Sequence, residues 1–196
     1  MKEDQKRWDK KYRERKPDLN QGANPLLIKY LRFLPKGKAL DLAAGEGRNA
    51  VFLAEHGFEA EAVDISPIAI SRARKLAKAR GVRIQAIAVD LDTYPISPGQ
   101  YDVILSFYFL DRRLIPRIKK GLKKGGMVVF ETYTVAQRNR GSGGPSDHKY
   151  LLKPNELLHL FRDFQILFYR EGIFQEGGKR REIASLIAQK QVIGQR

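Results

Sequence analysis

Three acids and two glycines in this chain have spacing that suits the holding of a small polar cofactor. The run Asp41-Leu42-Ala43-Ala44-Gly45-Glu46-Gly47-Arg48-Asn49-Ala50 follows a short apolar stretch, Lys38-Ala39-Leu40. A strand, a glycine turn and a helix in that order present backbone N–H groups at a helix N-terminus, where an anionic group binds. Gly45 and Gly47 leave room for close backbone approach, as they would also in an ordinary tight turn. Asp41, ahead of the glycines, is placed to reach a cationic amine or to cap the turn's own N–H groups. Asp64 lies 19 residues after Gly45. A carboxylate there accepts ribose hydroxyls by the logic of dinucleotide folds, or caps the next helix, a task for which Ser66 is suited. Asp90 follows a third apolar run, with Asp92 nearby as the alternative acid.

These residues need a sheet to bring them together. Residues 3–15 read as a charged helix with Trp8 and Tyr12 four apart on one face. Asn24-Pro25 starts a short helix with an apolar stripe of Leu26, Leu27, Tyr30 and Leu31, ended by Pro35-Lys36-Gly37. Strands are expected at 38–42, 59–64, 83–89, 101–107 and 127–133, the last led in by Gly125-Gly126. Helices are expected from Gly47 to Glu55, from Ser66-Pro67 to Arg80, around Pro116, and from Lys153 to Phe161. Two closing strands, 165–169 and 182–188, are joined through Gly177-Gly178. Five strand–helix units plus a hairpin predict an α/β fold. It is a doubly wound, Rossmann-like, mostly parallel seven-stranded sheet with a C-terminal antiparallel hairpin. Residues 1–35 read as an N-terminal helical lid segment and 36–196 as the main domain, within a single domain overall.

Composition narrows the classes. The 196 residues suit one full-sized core, and no cysteine is present, which excludes disulfides and thiol chemistry. His56, His148 and His159 show no metal-ligand spacing, so no metal is expected. The N-terminal residues lack the apolar core of a leader and no run suits a membrane span, so a cytoplasmic location is expected. A net charge of +15 admits nucleic acid as a partner. The basic residues are spread along the chain without an arginine–aromatic module, which fits a solvated surface better.

The Asp41–Asn49 run, Asp64, Asp90 and Tyr101-Asp102-Val103-Ile104 resemble the class I S-adenosylmethionine (SAM)-dependent methyltransferases. The Gly-Glu-Gly-Arg-Asn form, followed by Leu53-Ala54 and Gly57, with Trp8-Asp9 and Tyr12 ahead of it, is closest to the tellurite-resistance (TehB-like) branch. The resemblance spans residues 5–190 and implies SAM as cofactor. It implies that Asp41, Ala43, Gly45, Gly47, Arg48 and Asn49 surround the methionine end. Asp64 and Ile65 would take ribose and adenine. Asp90 would take the adenine amino group and the Leu91 N–H a ring nitrogen. Ser106, Phe107 and Tyr108 would border the sulfonium and the nucleophile, with core packing the other reading for Phe107. Trp8 and Tyr12 would close over the cofactor, or form a helix merely packed on the domain.

The acceptor is less defined. The glycine-rich loop 134–152 is long enough to suggest a mobile, functional segment. Tyr133 and His148 are the candidates for a catalytic role, although a loop histidine also serves simply as a solvated residue. With no evident general base, a small-molecule acceptor is expected, with a thiol, selenium or tellurium nucleophile among the candidates. An RNA or ribosomal-component methyltransferase and a non-catalytic SAM-binding module are the alternatives. The string Gly45-x-Gly47-x-x-Ala50 also fits an NAD fingerprint loosely, but Asp41, Asp90 and the closing hairpin speak against it.

Overall fold

A computed structural model describes residues 2–18, 22–140, 144–145, 147–176 and 179–191. Seven strands form one sheet in the order β3-β2-β1-β4-β5-β7-β6. They are β1 (Lys38–Leu42), β2 (Glu59–Asp64), β3 (Gln85–Ala88), β4 (Tyr101–Phe107), β5 (Leu122–Tyr133), β6 (Gln165–Glu176) and β7 (Lys179–Gln189). The strands from β1 to β5 run parallel, and β7 enters antiparallel between β5 and β6. The C-terminal ends of the five parallel strands therefore share one edge, where ligands of open α/β sheets bind.

The helices are α1 (Lys2–Glu14), α2 (Pro25–Tyr30), α3 (Arg48–Glu55), α4 (Pro67–Ala79), α5 (Ile115–Gly121) and α6 (Glu156–Leu160). Local chemistry sets their starts. The Asn24 side chain accepts the Leu26 N–H at 2.8 Å and Pro25 opens α2. The Ser66 hydroxyl accepts the Ala69 N–H at 3.2 Å ahead of Pro67 in α4. Strand alternation splits the core into two layers. Leu40, Ile104, Val128 and Phe130 pack with Ile115, Ile118, Leu157 and Phe161 on one face. Ala39, Val103, Leu105 and Val129 pack with Leu27, Ala50 and Leu53 on the other. Asp41 has the parity of Ala39, and Glu131 that of Val129, so both acids lie on the α3 side.

Several expected boundaries move. β3 is shorter than 83–89, and the chain passes from β3 to β4 without a helix, so the strand–helix alternation is incomplete. β5 begins at Leu122, before the glycines rather than after them. Leu122 pairs with Tyr101 and Met127 with Val103, so Lys123–Gly126 bulge out of register. A Cβ on Gly126 would lie 3.0 Å from the Lys123 carbonyl oxygen and 3.1 Å from those of Tyr101 and Asp102. The closing strands extend well beyond 165–169 and 182–188, because cross-strand hydrogen bonds carry the hairpin through charged residues that an apolar pattern leaves out. The expected Gly177-Gly178 turn lies outside the described residues. α6 starts at Glu156, later than expected, after Asn155 in a left-handed conformation. Among the described residues no helix is long and apolar enough to cross a membrane.

Candidate cofactor and acceptor site

The glycine turn leaves β1 through Ala43, Gly45 and Gly47, with φ of 52°, 57° and 78°. Gly47 precedes α3 as its cap. A Cβ on Gly47 would meet the Ala73 Cβ at 2.6 Å, so α4 packs directly on the turn. A Cβ on Gly45 would fall 2.7 Å from the Tyr12 hydroxyl. The residue type at both places follows from left-handed backbone and close contact together.

Asp41 sits under this turn and is buried, and burial pushes its carboxyl up to about 7. The Arg48 charge and the Ala50 N–H oppose that rise, and the Asp64 charge adds to it. Among the described residues, Asp41 Oδ2 is the buried side-chain polar atom without a hydrogen-bond partner. A buried carboxylate oxygen left open is costly unless a donor arrives. Asp64, also buried, accepts the Gly45 N–H at 2.8 Å through Oδ2 and the Ser66 N–H at 2.9 Å through Oδ1. Its carboxyl is raised by burial, with these N–H groups opposing and the Asp9 charge assisting.

Helix α1 lies over this edge. Asp9 accepts the Ser66 hydroxyl at 2.5 Å. Burial, then the Asp64 and Glu46 charges, push the Tyr12 hydroxyl upward. Trp8 lies 6.1 Å from Tyr12 between ring centroids, with the Lys11 ammonium 4.4 Å from its own. The Trp8 face therefore already carries a cation from its own helix. Glu46 pairs with Arg72 of α4 at 2.7 Å, tying the turn's outer side to that helix.

Other expected residues have partners that settle how they sit. Arg48 donates to the Gly22 carbonyl oxygen at 3.3 Å, and Asn49 accepts the Asn24 N–H at 2.9 Å. Asp90 accepts the Asp92 N–H at 2.9 Å, forming a turn, while Asp92 pairs with Arg113 at 2.9 Å. Leu91 is buried and Ile65 half-buried beside these turns. Ser106 is buried and donates to the Phe109 carbonyl oxygen at 3.2 Å, and Phe107 is packed in the α3-side core.

His148 is exposed in a short 3-10 turn, His148–Tyr150. The segment after it is anchored: Arg112 donates to the carbonyl oxygens of Lys149 and Leu151 at 2.6 and 2.9 Å and pairs with Glu156 at 2.6 Å. Thr134 and Leu152 form a bridge that closes the loop's base, so both ends of the expected mobile loop are held. Residues 141–143 and 146 lie outside the described residues.

The structure adds a cluster that residue patterns missed. Glu131 of β5 is fully buried and accepts four donors. Asn24 Nδ2 at 2.8 Å and the Tyr108 hydroxyl at 3.3 Å reach Oε1. The Ser185 hydroxyl at 2.6 Å and Arg170 Nη2 at 3.2 Å reach Oε2. Tyr108, at φ 56°, also donates its backbone N–H to the Glu131 carbonyl oxygen at 2.7 Å. Its ring is 5.2 Å from that of Tyr133, and Arg181 lies over both. The available signal was a lone acid inside the apolar run Met127 to Tyr133.

Residues 39–126 match the family model described as a methyltransferase domain. The chain is 26% identical over 164 residues to the probable SAM-dependent methyltransferase TehB of Haemophilus influenzae, covering 78% of this chain and 57% of that protein. It is 32% identical over 106 residues to the ribosomal protein L11 methyltransferase of Thermus thermophilus, covering 53% of this chain and 41% of that protein. The chain thus spans little more than half the length of the first of these relatives and less than half of the second. The crystal structure of Haemophilus influenzae TehB superposes with a TM-score of 0.72 at 21% identity, covering 86% of this chain and 63% of that one. Residues 39–126 thus match a methyltransferase domain, the chain is similar in sequence to SAM-dependent methyltransferases of the TehB type, and its sheet, closed by an antiparallel hairpin, has the fold of the TehB structure.

Proposed function

We propose that the chain transfers a methyl group from SAM to a small acceptor with a soft or already anionic nucleophile, such as a thiol or a selenium or tellurium species. The observation that carries this reading is the open, buried oxygen of Asp41 beneath the glycine turn. A cationic amine supplies the missing donor and the compensating charge, so the residues present fit SAM. Asp41 would hold the amine, the N–H groups near Gly47 the carboxylate, Asp64 and Ile65 the ribose and adenine, and Asp90 with the Leu91 N–H the adenine edge. Asp64 already accepts one N–H on each oxygen and keeps a lone pair on each for ribose. When bound, SAM supplies a methyl group already activated on a sulfonium.

The chain's own part is alignment and exclusion of water. Helix α1 acts as a covering segment, with Asp9 latched to Ser66 and Tyr12 over Gly45. The wall made by Tyr108 and Tyr133 borders the acceptor. Glu131 has all four lone-pair positions engaged, so it serves this wall as a support rather than as a base. A soft nucleophile needs no strong base, in keeping with that arrangement.

Calorimetry with SAM and S-adenosylhomocysteine tests the cofactor half, and the absence of binding by both ligands would sink it. A methyl-transfer screen over small thiols, selenite, tellurite, small amines and RNA tests the acceptor half. Turnover on RNA with steep salt dependence would replace the small acceptor by nucleic acid. Tight cofactor binding without turnover on any acceptor would leave a SAM-binding module.

A further inference from the structure

Arginine and aromatic side chains alternate along the acceptor side of the hairpin. The Arg170 guanidinium lies 4.0 Å from the Phe174 ring centroid, and that of Arg181 lies 5.0 Å from Tyr108 and 6.0 Å from Tyr133. The two cations differ in charge balance. Arg170 is neutralised by buried Glu131 at 3.2 Å. Arg181 has no carboxylate within ion-pair distance among the described residues. Its polar contact is the Tyr133 hydroxyl, to which Nη1 donates at 3.1 Å. It is half-buried, so its charge is only partly met by water.

Its surroundings are stiff. Tyr108 is fixed through both its N–H and its hydroxyl to Glu131, in a left-handed backbone that bulky residues seldom adopt. Glu131 is itself held from α2, β6 and β7 by Asn24, Arg170 and Ser185. A guanidinium pre-oriented on two rings, with its charge unmatched, is built to receive an anion. Its planar fork suits two coplanar oxygens. The register places it beyond the C-terminal end of β5, on the face that carries Asp41, since Tyr133 pairs with Ile183 of the antiparallel β7 and Arg181 lies two residues before Ile183.

We propose that Arg181 is the anion-recognition residue of the acceptor cleft and that the acceptor carries an organic carboxylate beside its nucleophile. This rests on the methyltransferase reading for the word acceptor; the anion site itself is tested without turnover.

The test titrates the full-length protein, with and without S-adenosylhomocysteine, with benzoate, its neutral isostere benzamide, and phenyl phosphate, following binding by NMR. Benzoate is expected to bind about tenfold or more tighter than benzamide, the scale of one charge-assisted pair. Arg181→Gln should remove that preference while keeping S-adenosylhomocysteine affinity, and Arg181→Lys should restore part of it. Equal binding of benzoate and benzamide, no binding of either, or a preference that survives Arg181→Gln overturns the assignment. Tighter binding of phenyl phosphate overturns the choice of carboxylate. Failure of S-adenosylhomocysteine to bind tells against the methyltransferase reading and leaves the benzoate comparison to judge the anion site by itself.

Discussion

The Asp64 carboxylate accepts the Gly45 N–H at 2.8 Å, so the acid that ends β2 holds the glycine turn that follows β1. Its other oxygen accepts the Ser66 N–H at the start of α4. One side chain thereby sets the spacing of the turns that follow β1 and β2. Asp64→Ala leaves two backbone N–H groups without their acceptor, and each costs about 1–3 kcal/mol when buried. Urea unfolding should show a loss in that range or above. Calorimetry should show weaker SAM binding by about 1–3 kcal/mol. Asp64→Asn, which keeps one acceptor oxygen, should fall between Ala and the parent. A change in stability below about 0.5 kcal/mol for Asp64→Ala, the level of an ordinary surface substitution, would show that the turn does not depend on this acid.

The Asp41 carboxyl rises from 3.8 to about 7 on folding, through burial. The folded chain then binds more protons than the unfolded chain between those values, so stability falls as pH rises from about 4 to about 7. The difference amounts to about 4 kcal/mol for this group alone. Asp41→Asn should flatten that slope and make the ligand-free protein more stable at pH 8. A cationic amine reverses the preference by favouring the ionised carboxylate. SAM binding at pH 6 should therefore release a proton, read from calorimetry in buffers of different ionisation enthalpy, and Asp41→Asn should abolish the release. Proton uptake on binding would contradict the assignment of the amine to Asp41.

Gly45 and Gly47 share a left-handed backbone but differ in what stands beside them. Alanine at either position carries about 1–2 kcal/mol of backbone strain. At Gly47 the new methyl also meets Ala73 of α4, at 2.6 Å from its Cβ and 3.2 Å from its Cα, and a helix backbone does not yield readily. At Gly45 the neighbour is the end of the Tyr12 side chain, at 2.7 Å, which can swing away. Gly47→Ala should therefore lower stability by at least about 1 kcal/mol more than Gly45→Ala, the scale of overpacking. Adding Tyr12→Ala should relieve Gly45→Ala and leave Gly47→Ala unchanged in thermal unfolding. Equal losses for the two glycine variants would remove the α4 contact as the deciding difference.

Local pattern made much of the fold legible. Alternation and apolar runs marked β1, β2 and β4 to the residue, and the Asn24-Pro25 and Ser66-Pro67 starts marked α2 and α4, because caps and strand burial act over a few neighbouring residues. The start of β5 and the length of β6 and β7 were not legible. Their extra residues are held by partners distant in sequence, as when Gly125 donates its N–H to the Lys190 carbonyl oxygen at 2.9 Å.

The site divides the same way. The residue order alone determined that Asp41, the glycine turn, Asp64 and Asp90 would share the C-terminal edge of a parallel sheet, because each follows or ends a successive strand. Tertiary structure decided which bonds those acids make: Asp41 keeps an open oxygen, Asp64 holds Gly45, and Asp90 closes its own turn. It alone brought Asn24, Tyr108, Glu131, Arg170, Ser185 and Arg181 together from α2, the end of β4, β5, β6 and β7. Nothing in the order of the chain encodes that cluster locally. Its members meet only because β7 enters antiparallel beside β5, and burial then requires every polar group of Glu131 to find a partner.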